Sequence, residues 1–558
     1  MVRIVVTALL ALVLLGGLAG VYRNEIMLEI VRHRMDQTPI GPHREVDWPS
    51  GPATAPSSPQ GRPPNIVFIL ADDLGINDIS TFGGGVADGA APTPNIDRLA
   101  ASGAVFTQAY SGTSSCAPSR AMLMTGRYPT RTGFEFTPTP EGMSRVVTMF
   151  GNSMRNQDKE NRLPEIILNE ANLRAAPPYE AQGLPGSEVT IAEMLRDAGY
   201  YTAHIGKWHL GRHAQFSPNA QGFDDSLLMA SGLFLPEDDP NVVNARLDFD
   251  PIDRFLWTAF RYAASFNDSD WFEPGGYLTD YWTDESIKVI EQNKNRPFFL
   301  YLAHWGVHTP LQATKEDYDA VGDIKPHRLR TYAAMVRSLD RSVGRILDKL
   351  EEEDLLENTI VVFTSDNGGA GYVGLPDINA PYRGWKLTLF EGGIRVPLFV
   401  SWPSKIKPGA VVDAPVAHID LAPTLAAAGA AELPADRIID GKNLLPYLSD
   451  EAPSEPPHER IFWQSAYYQV VREGDFKLQR TRNPESVFLY DLAVDPTEQN
   501  NISTARPDIV ERLTAALDAH QSEAREPLYP YVIEGPIAID KTLDEPVVDG
   551  DLVLYWPN

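Results

Sequence analysis

The sequence predicts an α/β protein: a large, mostly parallel central sheet flanked by helices, followed by a smaller C-terminal α+β domain containing an antiparallel sheet. Three observations predict it. Short apolar runs alternate with helix-period stretches along most of the chain. Charged and polar residues gather just past the carboxyl ends of those runs, the edge where open α/β sheets bind ligands. Near residue 445 the pattern changes to alternation of period two.

Taken in order, residues 4–22, "IVVTALLALVLLGGLAGVY", carry no charge. A helix of that length spans roughly 28 Å, close to a bilayer core. Gly17 and Ala19 resemble the small-residue pair of a signal-peptidase site, so residues 1–22 read as a signal peptide or a membrane anchor. Arg3 before the run and Arg23, Arg32 and Arg34 after it do not decide between the two. With no cysteine nearby, a lipoprotein anchor is excluded. Residues 23–63, rich in Pro, Gly and Ser from 38 onward, read as an extended stalk or linker outside the fold.

The catalytic domain is expected over 64–444. "NIVFIL" (65–70) ends at Asp72 and Asp73, and "YYTAHIG" (200–206) at Lys207 and His209. "PFFLYLAHW" (297–305) runs into His308, and "TIVVFTS" (359–365) into Asp366 and Asn367. "RVPLFVSW" (395–402) is a further strand after the loop holding Lys386, and 332–352 carries an apolar stripe at helical spacing. Residues 445–558 form the smaller domain, with "RIFWQSAYYQVVREGDFKLQRT" and "SVFLYDLAVDP" as antiparallel strands and "RPDIVERLTAALDAHQSE" as a helix.

A net charge of −27 excludes nucleic-acid binding, which needs a basic footprint. It also requires any anionic substrate to meet a local cluster of cations or a metal. Arg120, Lys207, His209, His308 and Lys386 can supply the cations. Asp72, Asp73, Asp366 and Asn367 offer hard oxygen donors suited to Ca²⁺ or Mg²⁺. Taken singly, either acid pair is equally a loop start or a helix cap. His304 reads as structural. Aromatics at Phe255, Trp257, Trp271, Phe272, Tyr277 and Tyr281 fit either core packing or stacking of a sugar.

The chain has one cysteine, Cys116, in "SSCAPSRAMLMTG" (114–126). Pro118 suits a first helical position, which would set Cys116 at a helix mouth that favours anions. "CAPSRAMLMTG" resembles the C-x-P-S-R…T-G signature of the formylglycine-dependent sulfatases. "ILADDLG", "GKWHLG", "VHTPLQ", "SDNGG", "RGWKLTLFEGGIRVP" and "LYDLAVDPTEQNNI" resemble that family's other blocks, in order, across roughly 64–515. Segments 134–185 and 230–285 read as family-variable insertions.

The resemblance implies an alkaline-phosphatase-like fold and a bacterial, arylsulfatase-like enzyme of the periplasm or the exterior. It implies oxidation of Cys116 to formylglycine by a maturation enzyme, and a metal, calcium by precedent with magnesium second, held by Asp72, Asp73, Asp366, Asn367 and the modified Cys116. The hydrated aldehyde would attack the sulfur of a sulfated small molecule or glycan, and its second hydroxyl would then expel sulfate. His209 would orient or deprotonate the diol, with Lys207 and Arg120 holding it. His308 and Lys386 would bind sulfate and protonate the leaving oxygen. Two alternatives stand beside this: a formylglycine-dependent phosphonate monoester or phosphodiester hydrolase, and a non-catalytic protein binding sulfated glycans.

Overall fold

The computed structural model describes residues 23–55, 61–140, 142–158, 160–449 and 451–558. The apolar run 4–22 lies outside the described residues. Among those described, no helix is long and apolar enough to cross a membrane.

The central sheet has nine strands: β1 (Asn65–Ala71), β2 (Ala104–Phe106), β3 (Tyr201–Gly206), β4 (Asp225–Met229), β5 (Ala264–Phe266), β6 (Phe298–Ala303), β7 (Thr359–Ser365), β8 (Leu398–Ser401) and β9 (Ala410–Val412). Their spatial order is β9-β2-β8-β7-β1-β6-β3-β4-β5. Only β8 and β5 pair antiparallel with their neighbours. β1 lies at the centre, parallel to both β7 and β6.

Every residue of β1 is buried, which is why it reads as an unbroken apolar run and not as an alternation. Its side chains still alternate between faces. Val67 and Ile69 enter one core, packed under helices α4 (Leu278–Asn293) and α5 (His327–Glu352) as numbered below, while Ile66, Phe68 and Leu70 enter the other. Truncating a side chain such as Phe68 to Ala would cost about 3–5 kcal/mol.

The helices that shape the site are α1 (Arg23–Asp36), α2 (Cys116–Thr125), α3 (Met143–Gln157), α4, α5 and α6 (Pro507–Ser522). α5 begins five residues before the expected start at 332, directly after Pro326, which occupies its N-cap. The strand expected over 395–402 shortens to β8. Pro397 has no N–H for a ladder, and Glu391–Ile394 forms a helical turn closed by Arg395 N–H to Glu391 O, 2.7 Å.

The stalk reading of 23–63 is corrected. Residues 23–36 are helical, and the extended chain after them packs against the sheet domain. Trp48 is 4% exposed, and its Nε1 donates to Glu285 Oε2 at 2.7 Å. Gly41 N–H donates to Trp271 O and Gly51 N–H to Gln292 O, each at 2.8 Å. Proline and glycine content marked this segment as irregular, which it is. That composition said nothing of whether it was covered.

Beyond 445, β10 (Arg460–Ser465), β11 (Tyr468–Glu473), β12 (Phe476–Arg482) and β13 (Glu485–Asp491) form an antiparallel meander with α6 against one face. Lys477 on β12 is fully buried and pairs with Glu391 of the large domain at 2.9 Å and with Glu498 at 3.0 Å. The chain end then returns to the large domain. Ile533–Ala538 pairs with Val553–Pro557, and its start pairs with Ile167–Leu168.

Candidate active site

Four strand ends meet at one edge of the sheet. After β1, Asp72 and Asp73 are buried, and Asp73 turns the chain at φ 59°. β3 ends at Gly206, φ 104°, where a Cβ would stand 2.0 Å from Ala303 O; only glycine fits that turn. Lys207 and His209 follow, His209 itself in the left-handed region at φ 66°. β6 leads to Trp305 and His308, and β7 to Asp366 and Asn367. At Gly368 a Cβ would meet Gly392 O at 2.0 Å, so the loop bearing Lys386 packs directly on this backbone.

Cys116 opens α2, with Ser115 as N-cap and Gly126 closing the helix at φ 69°. Pro118 therefore lies two residues past the first helical position, still within the turn whose N–H groups have no intrahelical acceptor. The Cys116 Sγ lies 3.6 Å from Asp72 Oδ1 and 3.9 Å from Asp73 Oδ1. Burial, and then the Asp366 carboxylate, push this thiol well above its ordinary value. The site opposes a thiolate, so the unmodified cysteine is a poor nucleophile here.

Around it the acids and cations interlock. Lys207 Nζ lies 2.6 Å from Asp72 Oδ2. Arg120 donates from Nε to Asp366 Oδ2 at 2.8 Å and lies 3.5 Å from Asp72. Lys386 Nζ reaches the Asp73 carboxylate at 2.8 Å, and His308 Nε2 stands 3.5 Å from Asp73 Oδ2. Burial, with Asp366 adding to it, raises the Asp72 carboxyl to about 7. Burial also acts on Asp73 and Asp366, but there the cations win. Lys386 and His308 hold Asp73 low, and Arg120 and Lys207 hold Asp366 low. Burial drives His308 down to about 3 and His209 well below its usual value, so both rings are neutral acceptors near pH 7.

The oxygens of Asp72, Asp73 and Asn367 suit a hard divalent cation, beside the softer Cys116 sulfur and His308 nitrogen. Ligand atoms of Asp72, Asp73, Cys116 and His308 all lie within 4.8 Å of one another. Asn367 donates from Nδ2 to Asp73 Oδ1 at 2.8 Å, which leaves its buried Oδ1 without a partner and available to a cation. Asp366 stands just outside this tight group, its oxygens engaged by Arg120 and by Asp73 N–H.

Cys116, Lys207, His209, His308 and Lys386 line one cavity of about 1500 Å³. Arg120 does not. It is fully buried behind the acids, where it also donates to Lys207 O at 3.1 Å, so its place is to fix carboxylates. Sequence reasoning missed Tyr372, whose hydroxyl donates to Asp73 Oδ2 at 2.9 Å and accepts from Lys386 Nζ at 3.1 Å. Its one signal was its place just after the Asp366–Gly369 loop. Trp305 was missed too; it stacks on His308 at 4.1 Å. His304 faces away, bonded to Ser342 Oγ at 2.9 Å. Of the aromatic set, Phe255 and Trp271 line the cavity, while Trp257, Phe272, Tyr277 and Tyr281 are buried in the surrounding packing.

A mostly parallel sheet whose carboxyl edge gathers acids and cations around one buried cysteine defines an alkaline-phosphatase-like hydrolase of anionic esters. The comparisons make the family specific. The Sulfatase family matches residues 64–430, and the N-sulphoglucosamine sulphohydrolase C-terminal family matches 384–523. The chain belongs to the sulfatase family and is a sulfuric ester hydrolase. It is 32% identical to human N-acetylgalactosamine-6-sulfatase, over 85% of this chain and 88% of that one. It is likewise 32% identical to mouse steryl-sulfatase, over 75% and 70% respectively. Among solved structures, Ps i-CgsB in complex with k-i-k-neocarrahexaose superposes with a TM-score of 0.69 at 28% identity, covering 84% of this chain and 95% of that one.

Proposed function

We propose that Cys116, matured to formylglycine, is the nucleophilic position for hydrolysis of sulfate monoesters, beside a calcium ion held by Asp72, Asp73, Asp366 and Asn367. The single observation that carries this is the placement of Cys116 Sγ, 3.6 Å from Asp72 inside an acid–cation cluster that disfavours its own thiolate. A hydrated formylglycine supplies two hydroxyls on one carbon, and the cation supplies Lewis-acid charge.

The chain's own residues then divide the remaining work. Lys207 and Lys386 line the cavity and present donors to a sulfate group, with His308 beside them. His209, neutral and with Nδ1 unpartnered, can take a proton at that nitrogen. His308 Nδ1 lies 2.7 Å from Thr309 O, so Nδ1 carries the hydrogen and Nε2 faces Lys386 at 3.3 Å. A proton shared between those two groups can pass to the leaving oxygen. Arg120 and Tyr372 hold the carboxylates in place.

The relatives act on carbohydrate and steryl esters by their names, and the substrate class here is a sulfated organic alcohol of that range. We read the protein as exported, periplasmic or secreted, with 4–22 as its signal or anchor and a formylglycine-generating enzyme as its maturation partner. The phosphodiesterase and binding-protein alternatives draw no support from the family or the relatives. Mass spectrometry of the peptide containing Cys116, paired with turnover of an aryl sulfate against an aryl phosphodiester, tests the reading. An unmodified thiol in active enzyme would refute it.

A further inference from the structure

We infer that the substrate is the sulfate ester of a bulky apolar alcohol, long-chain or polycyclic, whose hydrocarbon part lies in an apolar arm of the active-site cavity. This rests on the sulfate-monoesterase reading above and names its substrate class.

The cavity extends far beyond the sulfate-binding end. Its volume of about 1500 Å³ exceeds the ~300–1,000 Å³ typical of small-ligand sites. One aromatic side chain separates its charged end from its apolar arm. Lys207 Nζ lies 4.7 Å over the Trp305 ring, and His308 stacks on that ring. Phe260 meets Trp305 edge-on at 5.8 Å. Phe260 in turn packs on a cluster built from Leu28 of α1, Val146 and Phe150 of α3, and Phe255 and Leu256 of the helix Asp253–Ala259.

The chemistry of that wall selects its occupant. A sugar needs donors and acceptors at several hydroxyls. The cavity faces of these helices present chiefly Met27, Ile30 and Val31, then Met143, Val146 and Leu256, with Arg155 near the end of α3, among the described residues, the one donor there that has an unpartnered nitrogen. Arg145, on the same side, is paired bidentate with Glu170. At the rim Ile30 is 45% exposed, an apolar lip on the cavity. The arm is continuous with the cation cluster, so a ligand filling both has an anionic head and an apolar body. The residues that build it come from α1 and from 134–185 and 230–285, segments outside the family's shared blocks.

The test uses the full-length, matured enzyme and submicellar n-alkyl sulfates from butyl to decyl, a monosaccharide 6-sulfate, and 4-nitrophenyl sulfate as a reference for sulfatase activity alone. The alkyl alcohols share one leaving-group pKa, so the series isolates burial of the chain. We expect kcat/KM to rise about two- to fourfold per added CH₂ while the chain is entering the arm. We also expect decyl sulfate to exceed the monosaccharide sulfate by on the order of 10²-fold. Ile30→Asp, at a half-exposed rim position where folding is not at stake, should flatten the rise and leave 4-nitrophenyl sulfate turnover unchanged. Phe255→Asn should do so more strongly, and should it fail to fold the Ile30 variant still decides. A flat alkyl series, or preference for the monosaccharide sulfate, with 4-nitrophenyl sulfate still hydrolysed, overturns this inference alone. Hydrolysis of the monosaccharide sulfate alone overturns the inference and leaves the sulfatase reading standing, whereas failure of the matured wild-type enzyme on all three substrate types overturns both.

Discussion

The sulfur of Cys116 stands 3.6 Å from Asp72 Oδ1, with both side chains buried at the meeting of helix α2 and strand β1. The helix start fixes one partner and the buried strand end the other, so the pair is set by the backbone and not by flexible side chains. Cys116→Ala should therefore leave the fold intact and lower kcat for an aryl sulfate by about 10⁴-fold or more, the scale of losing a nucleophile. Cys116→Ser has one hydroxyl and no second oxygen on the same carbon. It should accept the sulfuryl group once and keep it, visible as a mass increase of one SO₃. Multiple turnover by either variant would remove Cys116 from the chemistry.

Calcium should stabilise the protein as well as activate it. The free Oδ1 of Asn367 and the crowded carboxylates of Asp72 and Asp73 gain a counter-charge when a cation binds. A ligand at 100 times its Kd adds about 2.7 kcal/mol to the folded state. Chelation should lower Tm and suppress turnover, and calcium should restore both better than zinc, which prefers nitrogen and sulfur donors. Asn367→Ala should weaken the calcium-dependent rise in Tm. A chelated preparation that keeps its rate and its Tm would mean that these acids are structural.

The strand ends were legible because each buried strand is a local signal. β1, β6 and β7 are largely apolar runs and β3 is a buried one that carries Thr202 and His204, and the chemistry begins within five residues of each strand end. The covering of Trp48 was not legible, since its partner Glu285 lies on a helix distant in sequence. The return of Ile533–Ala538 to Ile167–Leu168 was hidden for the same reason. Arg120, expected to hold the diol, donates to Asp366 and lies against Asp72. A motif position names the neighbourhood, and only packing shows that the Arg120 guanidinium is engaged by Asp366 and Asp72.

Lys386 Nζ lies 2.8 Å from the Asp73 carboxylate and lines the cavity. Lys386→Ala should reduce kcat/KM on the order of 10²-fold, as for loss of one preorganised charge-stabilising donor. Near-normal activity would exclude it from the site.

Salt should act in the opposite sense to a surface-steered enzyme. A net charge of −27 repels an anionic ester at long range, and that repulsion fades as the Debye length falls from about 30 Å at 0.01 M salt to about 8 Å at 0.15 M. The contacts from Lys386 and Lys207 are short and buried, so they are screened far less. For 4-nitrophenyl sulfate, kcat/KM should rise or hold across that range. A steep fall would show that long-range attraction governs binding.

Asp78 gives a pH signature of folding that is separate from catalysis. It is buried, and its Oδ2 accepts from Tyr332 OH at 2.6 Å and from Gly75 N–H at 2.7 Å. Burial outweighs these two donors and raises the carboxyl from 3.8 to about 7. Below about pH 4 the group is protonated in both folded and unfolded chains and costs nothing. Between there and pH 7 the unfolded chain ionises while the folded one does not, so stability falls as pH rises; above 7 the loss is complete. A shift of this size corresponds to about 4 kcal/mol. Asp78→Asn places a neutral amide oxygen where both donors already point and has no proton to lose. In urea unfolding at pH 4.5 and pH 8, the variant should gain stability relative to wild type on going to the higher pH. Equal pH slopes for the two proteins would show that Asp78 ionises normally in the fold.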